Sequence, residues 1–95
     1  MTINRSANGL SRDVVIINEL GLHARSAAKI SKLAQKGKSA VWIIKDNQEA
    51  DASSIIDMLT LACEKGSKIT LKIDDPTDLE ILNDLVKLVE SGFEE

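Results

Sequence analysis

The 95-residue sequence predicts an α+β domain, a four-stranded antiparallel sheet with three helices on one face, in the order β-α-β-β-α-β-α. Three observations carry that prediction. Residues 68–73 alternate, Ile69, Leu71 and Ile73 to one side and Lys68, Thr70 and Lys72 to the other, as a strand does when only one face is covered. Asp46-Asn47 separates two strand-like runs by a tight turn, which makes them antiparallel neighbours. Elsewhere apolar residues recur at helical spacing and form single stripes, so each helix has one face to bury.

Residues 1–12 are polar, rich in Asn, Ser, Thr and Gly, and read as a flexible extension; the domain proper is residues 13–95. Residues 14–20 are the first strand. Residues 24–35 are the first helix, with Ala27, Ile30, Leu33 and Ala34 as its stripe and Lys36-Gly37-Lys38 as its stop. Residues 40–45 are β-branched and aromatic, a second strand, and residues 48–51 a short third. In the second strand Val41 and Ile43 should face the helices. Trp42 and Ile44 then fall on the open face, either as a covered apolar cluster or as a contact surface.

The second helix opens at Ser53 or Ser54, both good N-caps, carries Ile55, Met58, Leu59 and Ala62 inward, and closes at Glu64-Lys65-Gly66. After the alternating fourth strand, Asp75-Pro76-Thr77-Asp78 starts the third helix, a carboxylate capping it and proline fitting its first turn. Leu79, Leu82, Leu85, Val86 and Val89 form its buried face and Gly92 ends it.

Composition excludes several classes of function. Twelve Lys and Arg against 15 Asp and Glu give a net charge of −3, with no basic block for nucleic acid. A chain of this length forms one modest core and no enclosed multi-residue enzyme cleft. The single cysteine, Cys63, cannot make an internal disulfide and falls in an apolar helical stretch, where packing is its expected role. No apolar run is long enough for a membrane span, so a cytoplasmic protein without membrane insertion is expected. No metal-ligand spacing or cofactor motif is present, and none is expected.

The chemistry concentrates in residues 18–29, which hold the only histidine, His23. It stands where an apolar run gives way to the first helix, and Gly21 supplies the backbone freedom such a turn needs. The free N–H groups of a helix's first turn cradle phosphate, and Arg25 adds a fixed charge and a fork of donors suited to its oxygens. A lone histidine is more often a surface or capping residue. An Arg in a first turn, against the helix dipole, tilts the balance towards an anion site. The Ala24 and Arg25 N–H groups with the Arg25 side chain make a station for a phosphoryl group on imidazole nitrogen, whose neutral ring is nucleophilic near physiological pH.

Gly21-Leu22-His23-Ala24-Arg25 resembles the phosphorylation-site motif of the HPr family, the histidine-containing phosphocarriers of the bacterial phosphoenolpyruvate:sugar phosphotransferase system. Residues 54–61, followed by residues 65–71, resemble that family's second signature at the family's spacing, and the likeness covers residues 13–91. The resemblance implies the open-faced β-sandwich fold. It also implies phosphorylation of His23 at Nδ1 by phosphoenolpyruvate-charged Enzyme I and transfer to sugar-specific Enzyme II A components.

Ser54 matches a serine that, in many members, an HPr kinase/phosphorylase marks for regulation; otherwise it is an ordinary helix cap. The resemblance places docking on Ile56 and Leu59, ringed by Ala28, Lys32 and Gln35, in a chain that acts as a monomer. The sequence departs from the family where Ser26 replaces the usual proline, gaining a hydroxyl and an N–H while losing rigidity. It departs again where Asp57 puts a negative charge one turn from Ser54. Two rival classes remain: a regulatory or protein-binding module of the same fold that acts by docking alone, and a small acylphosphatase-like hydrolase. The second has little to work with, one His and no Tyr.

Overall fold

The computed structural model describes residues 10–95. Its elements are β1 (Leu10–Val15), α1 (Ala24–Ala34), β2 (Val41–Lys45), β3 (Gln48–Asp51), α2 (Ile55–Leu59), β4 (Lys68–Ile73) and α3 (Leu79–Glu90). A 3-10 turn (Pro76–Asp78) precedes α3 and another (Gly92–Glu94) follows it. The sheet is antiparallel throughout in the order β1-β4-β2-β3, and the helices cover one face, the expected architecture.

The core lies between that face and the helices. Ile69, Leu71 and Ile73 of β4 and Val41 and Ile43 of β2 are buried against Ala27 and Ile30 of α1, Met58 of α2, and Leu82, Leu85 and Val89 of α3. The alternation in β4 holds residue for residue. The hairpin between β2 and β3 turns on Asp46 and Asn47, both at positive φ (50° and 68°), the backbone hand that matches strand twist.

Several boundaries differ from the sequence expectation. β1 begins at Leu10, inside the stretch expected to be an extension, because residues 10–15 pair in register with β4 from Leu10↔Ile73 to Val15↔Lys68; residues 1–9 lie outside the described residues. The strand also ends at Val15, five residues short of the expected Leu20. Ile16 keeps two backbone bonds to the 66–67 segment, and beyond it the chain turns towards α1.

α2 is only five residues long. Ala62 follows it at φ 52°, so Ala62 is exposed and Leu59 is 38 % exposed, while Leu61 takes the buried place. Cys63 is buried as expected, but in the loop after α2. Leu79, expected on the buried face of α3, is 37 % exposed because a 3-10 turn leads into the helix there. On the open face Trp42 and Ile44 are half-buried, the Trp42 indole N–H donating to Asp74 at 3.1 Å.

Candidate functional site

Gly21 fixes the entry to the site. It sits at φ 66°, and a Cβ there would stand 2.5 Å from the Cys63 carbonyl oxygen. The next residue, Leu22, donates its N–H to that same carbonyl at 2.8 Å, so the loop lies flat on the α2–β4 segment. This close approach delivers His23 to the start of α1 as its N-cap, in extended conformation (φ −123°, ψ −176°).

Two capping bonds of opposite sense then form. The imidazole Nδ1 accepts from the Arg25 N–H at 3.2 Å, and the His23 N–H donates to Ser26 Oγ at 2.9 Å. The Ser26 hydroxyl, fully buried, donates in turn towards the carbonyls of His23 (3.1 Å) and Gly21 (3.3 Å). Nδ1 therefore presents its lone pair to the first-turn amides of an 11-residue helix. Nε2 faces the other way, 2.7 Å from the Glu95 carboxylate.

Glu95 arrives from the far end of the chain. Gly92, Phe93 and Glu94 all take positive φ (67°, 59° and 62°), which folds the chain back after α3, and Phe93 is wholly buried. Lys29 Nζ, one turn along α1 from Arg25, holds the Phe93 carbonyl at 2.5 Å. Asn18 Nδ2 donates to Glu95 Oε1 at 3.0 Å and to the Gly21 carbonyl at 2.8 Å. Partial burial pushes the Glu95 carboxyl up, but hydrogen bonds from His23 and Asn18 and the charges of His23 and Lys29 outweigh it, so it titrates below the ordinary carboxylate range.

Of the residues singled out from sequence, His23, Ala24 and Arg25 meet in one open depression, lined also by Leu20, Lys29, Glu94 and Glu95. Sequence reasoning missed Asn18, Lys29 and Glu95. Lys29 had a signal, its spacing of four from Arg25 on a helix; Asn18 lies in the 18–29 stretch and holds the Gly21 carbonyl locally, but its bond to Glu95, like Glu95 itself, is brought in by tertiary structure alone.

Ser54 caps α2, its Oγ accepting from the Asp57 N–H at 3.2 Å, while the Asp57 carboxylate turns back to the Asp51 N–H at 2.7 Å. Ile56 is 79 % exposed, Ala28 and Lys32 are exposed on α1, and the Gln35 amide bonds to Ser31 Oγ at 2.8 Å. Among the described residues no three His, Cys, Asp or Glu side chains stand together as metal ligands would, and no helix is long and apolar enough to cross a membrane.

The likeness to known proteins covers most of the chain. The family model of the HPr component phosphorylation site of the phosphotransferase system matches residues 10–91. Phosphocarrier protein HPr of Cupriavidus necator is 41 % identical over 86 residues, 90 % of this chain and 97 % of that one. Phosphocarrier protein NPr of Escherichia coli K12 is 37 % identical over 87 residues, again 90 % and 97 %. The crystal structure of HPr from Thermoanaerobacter tengcongensis superposes with a TM-score of 0.82 at 36 % identity, covering 90 % of this chain and 97 % of the other. By matched length, by identity and by fold, the chain belongs to the HPr family of phosphotransferase-system phosphocarriers.

Proposed function

We propose that the chain takes a phosphoryl group from phosphoenolpyruvate-charged Enzyme I onto Nδ1 of His23 and passes it to an Enzyme II A component, in the cytoplasm and as a single chain. The observation that carries this reading is the orientation of the imidazole. Nδ1 points at the amides of the α1 N-terminus, and Nε2 is engaged by Glu95. Attack by the Nδ1 lone pair forms the new phosphorus–nitrogen bond as the bond between phosphorus and the donor breaks, and that bond's electron pair stays with the donor. The Arg25 N–H, released from Nδ1, faces the incoming phosphate oxygens together with the Ala24 N–H and the Arg25 guanidinium. The site offers these few donors at an open surface, which holds the group without burying it, so that it can be passed on.

Docking falls to the apolar exposed pair Ile56 and Leu59 with Ala28, Lys32 and Gln35 around them, an apolar centre in a polar rim. A phosphate on Ser54, placed there by an HPr kinase/phosphorylase, adds negative charge beside Ile56 and acts as a brake on docking. Because the relatives include both HPr and NPr proteins, the acceptor belongs either to sugar uptake or to a regulatory branch of the same relay.

The test is incubation with phosphoenolpyruvate and Enzyme I followed by mass spectrometry. One added phosphate, labile in acid and stable in base, is expected on the wild type, with onward transfer to an Enzyme II A protein. The same adduct on His23→Ala would place the phosphate elsewhere and sink the proposal.

A further inference from the structure

The proposed relay accounts for Nδ1 of His23 but leaves a second arrangement unexplained, the one that closes over Nε2. Three features make it more than a chance surface contact. The Glu95 carboxylate lies 2.7 Å from Nε2. Its other oxygen is held by Asn18, a side chain only 8 % exposed, which directs both amide protons outward, one to Glu95 and one to the Gly21 carbonyl. The Asn18 Oδ1 is left buried with no partner among the described residues. Leaving an acceptor stranded costs free energy, and flipping the amide would set its oxygen against the carboxylate, so Glu95 fixes the amide's sense.

The third feature is the backbone. Two non-glycine residues in succession, Phe93 and Glu94, sit in the left-handed region after Gly92, each at a cost in free energy. The burial of Phe93 and the Lys29 bond to its carbonyl hold that turn in place. What the turn achieves is the delivery of one carboxylate to one imidazole nitrogen.

We infer that Glu95, positioned by Asn18, is what makes His23 react at one nitrogen only: it accepts the Nε2 proton and occupies the approach to Nε2 with negative charge. A phosphoryl donor is itself an anion, so it is repelled from Nε2 and left with Nδ1. When the phosphorus–nitrogen bond forms at Nδ1 the Nε2 proton stays on the ring, shared with the carboxylate, and the positive charge gained by the ring meets a fixed negative neighbour. Glu95 is a positioning residue in this scheme. The inference deepens the phosphocarrier reading and rests on His23 being its acceptor.

The test uses phosphoramidate as donor, with no partner protein present. A ring nitrogen attacks phosphorus, the phosphorus–nitrogen bond of the donor breaks, and ammonia leaves with a proton taken from water. In protein labelled with ¹⁵N-histidine, phosphorus–nitrogen coupling reports which nitrogen carries the phosphate. The wild type is expected to give the Nδ1 adduct almost alone. Glu95→Ala should raise the ratio of Nε2 to Nδ1 adduct by about tenfold, the scale set by losing one hydrogen bond to a charged group. Asn18→Ala should move the ratio in the same direction by less, since it loosens the carboxylate without removing it.

An unchanged ratio in Glu95→Ala, with circular dichroism showing the fold intact, overturns the inference. Glu95→Gln, which keeps the side-chain volume, provides the same reading should the alanine variant lose its terminal turn. The outcome is separable from the relay: failure of Enzyme I to charge wild-type His23 defeats the proposed function and leaves the isomer ratio standing on its own.

Discussion

Removing the Ser26 hydroxyl tests whether this chain starts its first helix in its own way. The Oγ accepts the His23 N–H at 2.9 Å, its one proton lies within reach of two carbonyls, and the Ser26 side chain is fully buried. Losing a capping partner costs about 1 kcal/mol, within a range of about 0.5–2. An N–H left without a partner out of reach of water costs about 1–3 kcal/mol. His23 is only half-buried, which puts the sum for Ser26→Ala near 1–2 kcal/mol. In a domain of this size that is a fall in Tm of roughly 4–8 °C per kcal/mol.

Urea unfolding followed by circular dichroism measures it, with the midpoint shifted and the slope unchanged. Ser26→Pro restores the residue usual in the family but also deletes the acceptor, and it should fall below wild type as well. The entropy that proline removes from the unfolded chain, about 0.4–1 kcal/mol, does not cover the lost cap. A Ser26→Ala protein within about 0.3 kcal/mol of wild type, below the range of capping losses, would refute the reasoning.

Arg25→Ala should leave the fold intact and slow Enzyme I-dependent phosphorylation by about 10²–10³, the effect of losing one well-placed donor to developing charge; stopped-flow or quench-flow transfer rates check it, and unchanged kinetics would mean that the backbone amides suffice. Ser54→Asp should lower that rate at low salt with little change in thermal stability, because aspartate still caps α2. The loss should shrink towards molar salt, where the Debye length is about 3 Å. A loss indifferent to salt would point to altered helix geometry instead. Glu95 titrates below its ordinary value of 4.5 in the folded chain, so its contribution to stability is complete above that pH and disappears as pH falls through the lower folded value. Thermal unfolding from pH 7 to pH 3 should show that acid-side loss in wild type and a flatter curve in Glu95→Gln.

The sequence was most legible where local pattern and tertiary role coincide. β4 alternates because one face is covered and the other is wet. The 46–47 turn has two residues that tolerate positive φ, and Gly21 announces a bend that packing makes obligatory. β1 was harder because it is an edge strand whose inward positions are not all apolar. Arg12 takes the place between Leu10 and Val14 on the alternation, where its exposed guanidinium donates one hydrogen bond to Asn83 on α3 at 3.2 Å. A polar run that ends in one buried valine looks like an extension. α2 misled for the opposite reason: its apolar residues keep helical spacing past the point where Ala62 breaks the helix, so spacing alone put Leu59 and Ala62 inside. The Asn18–Glu95 contact spans 77 positions, and no local pattern encodes it; only the burial of Phe93 and three left-handed residues in a row bring its ends together.

A histidine is an unusual cap for α1. Imidazole is not among the favoured N-cap side chains, and its bond to the Arg25 N–H is long at 3.2 Å. Under the proposed chemistry that weakness is required, because the nitrogen that caps the helix must also leave the cap to attack phosphorus. A stronger cap would oppose the reaction by its own strength. The helix start therefore needs an anchor that survives phosphorylation, and the bond from the His23 N–H to Ser26 provides it from the backbone side. When Nδ1 turns to phosphorus, the phosphate oxygens take over the amide that the ring gives up, and the Ser26 bond is untouched. Ser26→Ala should accordingly lose more stability in the unphosphorylated protein than in the phosphorylated one, where phosphate fills the first turn. Unfolding midpoints of the two forms, measured side by side at neutral pH, decide it: equal losses in both would show that Ser26 and the imidazole do not share the helix start.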